Sequence, residues 1–175
     1  EFSFSRFLVP YLCDFEGHAI FMDLDTMLRV DLNELWKLRD NSSVQVVKHD
    51  YTPKTQTKYL GAIQYAYPRK NWSSVMLFNC AHPHCKRLTP DYVNKSAGLA
   101  LHRFWWTHED NIGELPVEWN HLVDEYEPNP DTKIAHWTLG GHWFNEYRDV
   151  EFGDEWDDLI TDLLFTKQIA EAKSA

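Results

Sequence analysis

A chain of 175 residues, 43% hydrophobic and 25% charged, has the size and composition of one soluble globular domain with a real core. A net charge of −10 without any basic run speaks against a nucleic-acid groove, whose affinity rests on Lys and Arg contacts to phosphate. No stretch nears the roughly 18 apolar residues of a membrane span, and the three cysteines (Cys13, Cys80, Cys85) point to a reducing, cytoplasmic setting rather than a disulfide framework.

Glu1 to Arg6 lacks the basic n-region and small-residue cleavage site of a signal peptide. Ser3 to Leu12 reads as a short amphipathic helix, with Phe4, Phe7, Leu8 and Tyr11 on one face and Pro10 bending it. After a turn at Gly17-His18, Ala19-Ile20-Phe21-Met22 is a continuous apolar run ending in acid, the pattern of a fully buried parallel strand. Asp31-Leu32-Asn33-Glu34 has the pattern of a capping box and predicts a helix through Leu38. Val44 to Lys48 and Val75 to Phe78 are further strands, and Thr89-Pro90 supplies cap and first-turn chemistry for a helix over 91–95.

Lys133 to Trp137 predicts another short strand, followed by a turn at Gly140-Gly141. From Asp154 to about residue 172, Trp156, Leu159, Ile160, Leu163 and Leu164 mark one face of an amphipathic terminal helix. Strands alternating with helices imply a single α/β domain over 1–175, its sheet mixed and mostly parallel with flanking helices. Ligands of such sheets bind beyond the carboxyl ends of the strands, where Asp23 and Asp25 sit. Eight Trp contribute to a 15% aromatic content, suited to core packing and also to stacking against sugar rings.

Asp23-Leu24-Asp25 is too short a motif to carry a function alone. Two carboxylates after a buried strand could hold Mg²⁺ or Mn²⁺ through hard oxygen ligands; equally, one could cap the next turn while the other is solvated. Phe21-Met22-Asp23-Leu24-Asp25-Thr26-Met27-Leu28 also resembles the opening motif of haloacid-dehalogenase-type phosphohydrolases. Met27 replaces the Thr or Val that family uses, and Asp157-Asp158 lies in a helical pattern instead of after a strand. Cys80, His82, His84 and Cys85 crowd one loop, but their spacing matches no standard zinc knuckle; a loop with a buried Cys is the expectation.

Further on come Ser73-Ser74-Val75-Met76-Leu77-Phe78-Asn79, then Leu115-Pro116-Val117-Glu118-Trp119-Asn120. Last is Ile134-Ala135-His136-Trp137-Thr138-Leu139-Gly140-Gly141-His142-Trp143. Together with the acidic strand, and in this order from about Phe2 to Trp143, they resemble the glycogenin-like retaining glycosyltransferases. That family includes the bacterial lipopolysaccharide galactosyltransferases. The resemblance implies a GT-A, nucleotide-diphospho-sugar transferase fold and a cation, Mn²⁺ or Mg²⁺, held by Asp23, Asp25 and His136. It implies transfer of a hexose, with retention, from a nucleotide sugar such as a UDP-sugar to a carbohydrate or other hydroxyl acceptor. A non-catalytic glycosyltransferase-like binding module is the alternative.

By the same resemblance, Leu24, Asn71, Ser73, Ser74, Asn120, Gly141, His142 and Trp143 belong to the donor side of the site. The family's Lys after the metal-binding His has no counterpart here, which leaves His142 or Arg148 as the cation for the diphosphate. The family's N-terminal nucleotide-binding portion is expected to be missing, so that the face of Phe4, Phe7 and Leu8 is exposed and favours self-association.

Overall fold

The computed structural model describes residues 2–174, with side chains described for 3–166. In chain order the strands are β1 (His18–Met22), β2 (Thr26–Leu28), β3 (Val44–Val46), β4 (Thr57–Lys58), β5 (Ala62–Ile63), β6 (Val75–Asn79), β7 (Ile112–Glu114), β8 (His121–Leu122) and β9 (Ile134–His136). The α-helices are α1 (Val9–Leu12), α2 (Leu32–Trp36), α3 (Pro90–Lys95), α4 (Gly98–His102) and α5 (Gly153–Ser174), and a 3-10 turn over Phe2–Leu8 leads into α1.

A four-stranded sheet, ordered β1-β6-β3-β7, forms the centre of the fold. The residues of β6 alternate between two cores. Met76 and Phe78 join Phe7, Leu101, Phe104 and Trp106 on one side, while Val75 and Leu77 join Leu35, Leu115, Trp119 and Ile134 on the other. In β1 the split repeats: Ala19 and Phe21 face the first core, Ile20 and Met22 the second. With both faces covered, β1 is apolar from Ala19 to Met22. It lies at the sheet's edge, half-buried and antiparallel to β6, whereas the sequence suggests a fully buried parallel strand. Apolar continuity reports two covered faces and says nothing of a neighbour's direction.

A second sheet, β2-β9-β8, pairs β2 antiparallel and β8 parallel to β9. The sheets are mixed, as expected, but the balance differs. Among the described residues only β3–β7 and β8–β9 are parallel, while β1–β6, β3–β6, β2–β9 and β4–β5 are antiparallel.

Local capping chemistry forms where the sequence places it. Asp31 accepts from the Asn33 N–H at 2.8 Å and starts α2, and Thr89 Oγ1 accepts from the Tyr92 N–H at 3.3 Å to start α3. The Glu34 carboxylate does not close a capping box; it pairs with Lys133 at 3.0 Å and ties α2 to the strand β9 segment. Two expectations about apolar faces are corrected. Phe7 is fully buried and Phe4 and Leu8 pack on the same core, because the N-terminal turn docks against α3 and α4. In α5, Trp156 packs on Trp137 and Trp143, but Leu159, Ile160, Leu163 and Leu164 are exposed.

Candidate functional site

The acidic motif is the hinge by which the chain leaves the central sheet for the second one. The Asp23 N–H extends the β1–β6 ladder by donating to the Ser74 carbonyl (2.8 Å), and Thr26 Oγ1 donates back to the Asp23 carbonyl (2.6 Å). The Asp25 carbonyl accepts from the Trp137 N–H at 3.0 Å. Antiparallel pairing of β2 with β9 sets His136 directly across from Thr26, one residue beyond Asp25. His136, more than a hundred residues from the two aspartates in sequence, therefore joins Asp23 and Asp25, and the three offer ligand atoms all within 4.8 Å of one another.

Each of the three is held differently. Asp23 takes a two-pronged contact from Arg6, whose Nη2 and Nη1 lie 2.8 and 3.0 Å from its two oxygens. Arg6 is itself fixed by the carbonyls of Ser73 and Ser3, both at 2.8 Å. Burial raises the Asp23 carboxyl above the ordinary carboxylate range, with Arg6 and His136 opposing it. Burial acts the same way on Asp25, but its hydrogen bond to His136, the charge of that ring and Lys58 outweigh it, so Asp25 lies below its ordinary value.

His136 is buried, and its Nδ1 lies 2.9 Å from Asn120 Oδ1. The other end of the Asn120 amide donates to Ser74 Oγ (2.8 Å) and to the Asn71 carbonyl (3.2 Å), which settles the amide's orientation. The imidazole therefore donates from Nδ1 and turns Nε2 toward Asp25 Oδ1, 3.5 Å away, where a proton on Nε2 makes the hydrogen bond that lowers Asp25 and a cation would take the lone pair in its place. A lone pair facing a carboxylate repels it unless a proton or a cation lies between. Two hard oxygens and one nitrogen so arranged fit Mn²⁺ or Mg²⁺, with Asn120 orienting the nitrogen ligand from behind.

Beside this cluster opens a cavity of about 620 Å³, lined by Asp23, Leu24, Asp25, the Gly140-Gly141 turn, Trp143 and Phe144, and also by Arg6, Lys58 and Tyr59. Leu24 is 87% exposed at its mouth. Trp143 folds back over Gly141, where a Cβ would collide with the indole, and meets Trp137 edge to face. Asn71, Ser73, Ser74 and Asn120 do not line the cavity; they lie behind it. Ser74 Oγ donates to the Asn71 carbonyl at 2.6 Å, and Asn71, with φ at 62°, donates to Tyr51 Oη at 2.7 Å. Ser73 Oγ turns toward His102 Nδ1, 2.7 Å away.

His142 does not line the cavity either. Its Nδ1 donates to the Arg148 carbonyl (2.9 Å) and its Nε2 lies 2.8 Å from Asp157 in α5. Arg148 is exposed and turned to Asn145. The basic residues that do line the cavity, Arg6 and Lys58, carry no local motif: one lies on the N-terminal turn, the other on the β4–β5 hairpin.

The Cys80–Cys85 loop holds no metal cluster among the described residues. Cys80 and Cys85 are buried free thiols, each pushed up to about 12 by burial, and Cys85 donates to the Ser43 carbonyl. His84 bonds Thr107 instead of converging with them. No described helix is long and apolar enough to cross a membrane.

No protein-family model matches the sequence. Among curated proteins, the chain is 48% identical over 162 residues to Protein CDI of Arabidopsis thaliana, an overlap covering 89% of this chain and 62% of that protein. Among solved structures, it resembles the glycosyltransferase GlyE of Streptococcus pneumoniae TIGR4, with a TM-score of 0.53 and 16% identity over 94% of this chain and 46% of that one. It also resembles the active-site mutant Q189E of LgtC, with a TM-score of 0.56 and 10% identity over 91% of this chain and 66% of that one. The chain thus spans less than two thirds of the length of each of these proteins. At such low identity the structural likeness speaks to architecture, and it shows that the chain has a mixed α/β fold of the GT-A-like type.

Proposed function

We propose that the protein is a metal-dependent glycosyltransferase, moving a hexose from a nucleotide diphosphate sugar, a UDP-sugar, to a carbohydrate or other hydroxyl acceptor with retention of configuration. The observation that carries the reading is the convergence of Asp23, Asp25 and His136 beside a cavity large enough for a ligand, on a fold shared with solved glycosyltransferases. Resemblance supplies the retention and the choice of donor.

Asp23, Asp25 and His136 would hold the ion. When bound, a divalent cation there supplies Lewis-acid stabilisation of the charge that gathers on a diphosphate leaving group. The chain's own residues set the stage for that chemistry. Asn120 holds His136 Nδ1 as a donor and leaves Nε2 for the ion, and Arg6 fixes both oxygens of Asp23 and opposes the upward pull of burial on its carboxyl. Trp143 and Phe144 give the cavity wall aromatic surface of the kind against which a sugar or base packs.

Calorimetric titration with UDP-, GDP- and ADP-sugars, with and without Mn²⁺, tests the reading. Metal-dependent binding of one donor together with slow hydrolysis of its sugar supports an enzyme. Binding without hydrolysis or transfer to any acceptor supports the non-catalytic module, and release of phosphate from aryl phosphates supports a phosphohydrolase. No binding of any of these donors overturns the reading.

A further inference from the structure

We propose that Lys58, carried on the β4–β5 hairpin, is the residue that contacts the diphosphate of the donor; this rests on the donor-binding reading above and names the cation that reading requires. Charge makes the need explicit. Asp23, Asp25, Arg6 and a divalent ion together sum to one positive charge, whereas each phosphate group brings roughly 1–2 negative charges. A diphosphate drawn into this cavity needs at least one further cation.

Among the described residues, Arg6 and Lys58 are the basic residues that line the cavity, and Lys58 is the uncommitted one. Arg6 is taken up by both oxygens of Asp23 and by two backbone carbonyls. Lys58 has no carboxylate within 4.0 Å among the described residues, its ammonium lying instead 5.5 Å from the Tyr59 ring centre. It lines the same cavity as Asp23 and Asp25, and its charge is felt by the Asp25 carboxyl. The neighbouring Lys70 is committed elsewhere, with Nζ 2.9 Å from Gln64 Oε1 and 3.1 Å from the Tyr65 carbonyl. His142 and Arg148 point away.

The hairpin is anchored so that Lys58 stays there. The Tyr59 N–H donates to the Leu139 carbonyl at 2.8 Å, and the Tyr59 ring stacks on Phe144 with centroids 5.1 Å apart. At its base, Gln64 Nε2 donates to Glu125 at 3.2 Å and the Lys54 N–H donates to the same carboxylate at 2.9 Å. Lys58 is thus fastened to the turn that follows His136, the segment whose own sequence holds no lysine. Lysine suits the task as a compact charge on a flexible stem that adjusts to the phosphate oxygens.

The test uses the whole chain with Mn²⁺, titrated with UDP and with uridine, read by calorimetry and by the fluorescence of the cavity Trp residues. Lys58→Met keeps the stem and removes the charge; it should weaken UDP binding about 10–100-fold, as loss of a charge-assisted contact does, and leave uridine binding unchanged. Lys58→Arg should restore UDP binding to within a few-fold of wild type. If Lys58→Met binds UDP like a wild type that itself binds it, this inference falls and the functional reading stands. Equal losses for UDP and uridine also overturn it, since they mean a displaced hairpin instead of a lost phosphate contact. A wild type that binds no nucleotide with Mn²⁺ overturns the functional reading and this inference with it.

Discussion

Asn120 Oδ1 accepts a hydrogen bond from His136 Nδ1 at 2.9 Å, and through that one contact the tautomer of the buried imidazole is set. Asn120→Ala should lower Mn²⁺ affinity about 10–100-fold, as loss of an outer partner of a metal ligand does. It should also cost about 1–3 kcal/mol without metal, because Ser74 Oγ and His136 Nδ1 lose a buried partner. Melting curves at graded Mn²⁺ concentrations separate the two effects; an unaltered Mn²⁺ response removes Asn120 from the site.

Ligand removal gives the sharpest test of the metal cluster. At a Mn²⁺ concentration about 100 times its Kd, the folded state should gain roughly 2.7 kcal/mol. Asp25→Ala should abolish that gain while leaving the metal-free melting temperature nearly unchanged, since its side chain is 36% exposed. His136→Ala should abolish it as well. A full Mn²⁺ response in both variants would show that the ion binds elsewhere.

Gly140 has φ at 153°, and a Cβ there would come within 2.6 Å of the Tyr147 ring and 3.1 Å of Tyr59 Cβ. Gly140→Ala should therefore push the β4–β5 hairpin from the cavity wall. We expect a loss of about 1–3 kcal/mol, seen as a fall of several degrees in Tm, together with weaker binding of UDP. A variant with wild-type Tm and wild-type UDP binding would mean that the hairpin yields without consequence.

His142 provides a pH signature that belongs to α5 and not to the cavity. The carbonyl of Arg148 raises the folded pKa above the ordinary imidazole value of 6.5, and Asp157 adds to it. The stability this contributes is fully present below the unfolded pKa and is lost as pH rises through the higher folded one. His142→Gln should remove that segment of the pH–stability curve, a change on the order of a degree or two in Tm. UDP binding should keep its wild-type pH profile in the same variant; a profile that changes would put His142 back among the donor contacts.

Much of the fold was legible in short stretches of sequence, because the physics there is local. Asp31 and Thr89 cap the helices they precede, since a side-chain oxygen reaches an amide two or three residues on whatever the rest of the chain does. The apolar run before Asp23 is a strand, and the aspartates lie at its carboxyl end. His136 closes the strand that the sequence predicts.

Tertiary structure decided what no local pattern encodes. Residue 6 meets residue 23, residues 58 and 25 line one cavity, and residue 120 turns residue 136. Phe7 is buried because α3 and α4 pack over it, and the direction of β6 beside β1 comes from how the chain returns. His142, adjacent in sequence to the cavity turn, faces α5 because Asp157 and the Arg148 carbonyl satisfy both ring nitrogens there. Periodicity and capping fix which face of an element is apolar and where it starts. Only packing between elements distant in sequence fixes which charge stands opposite which.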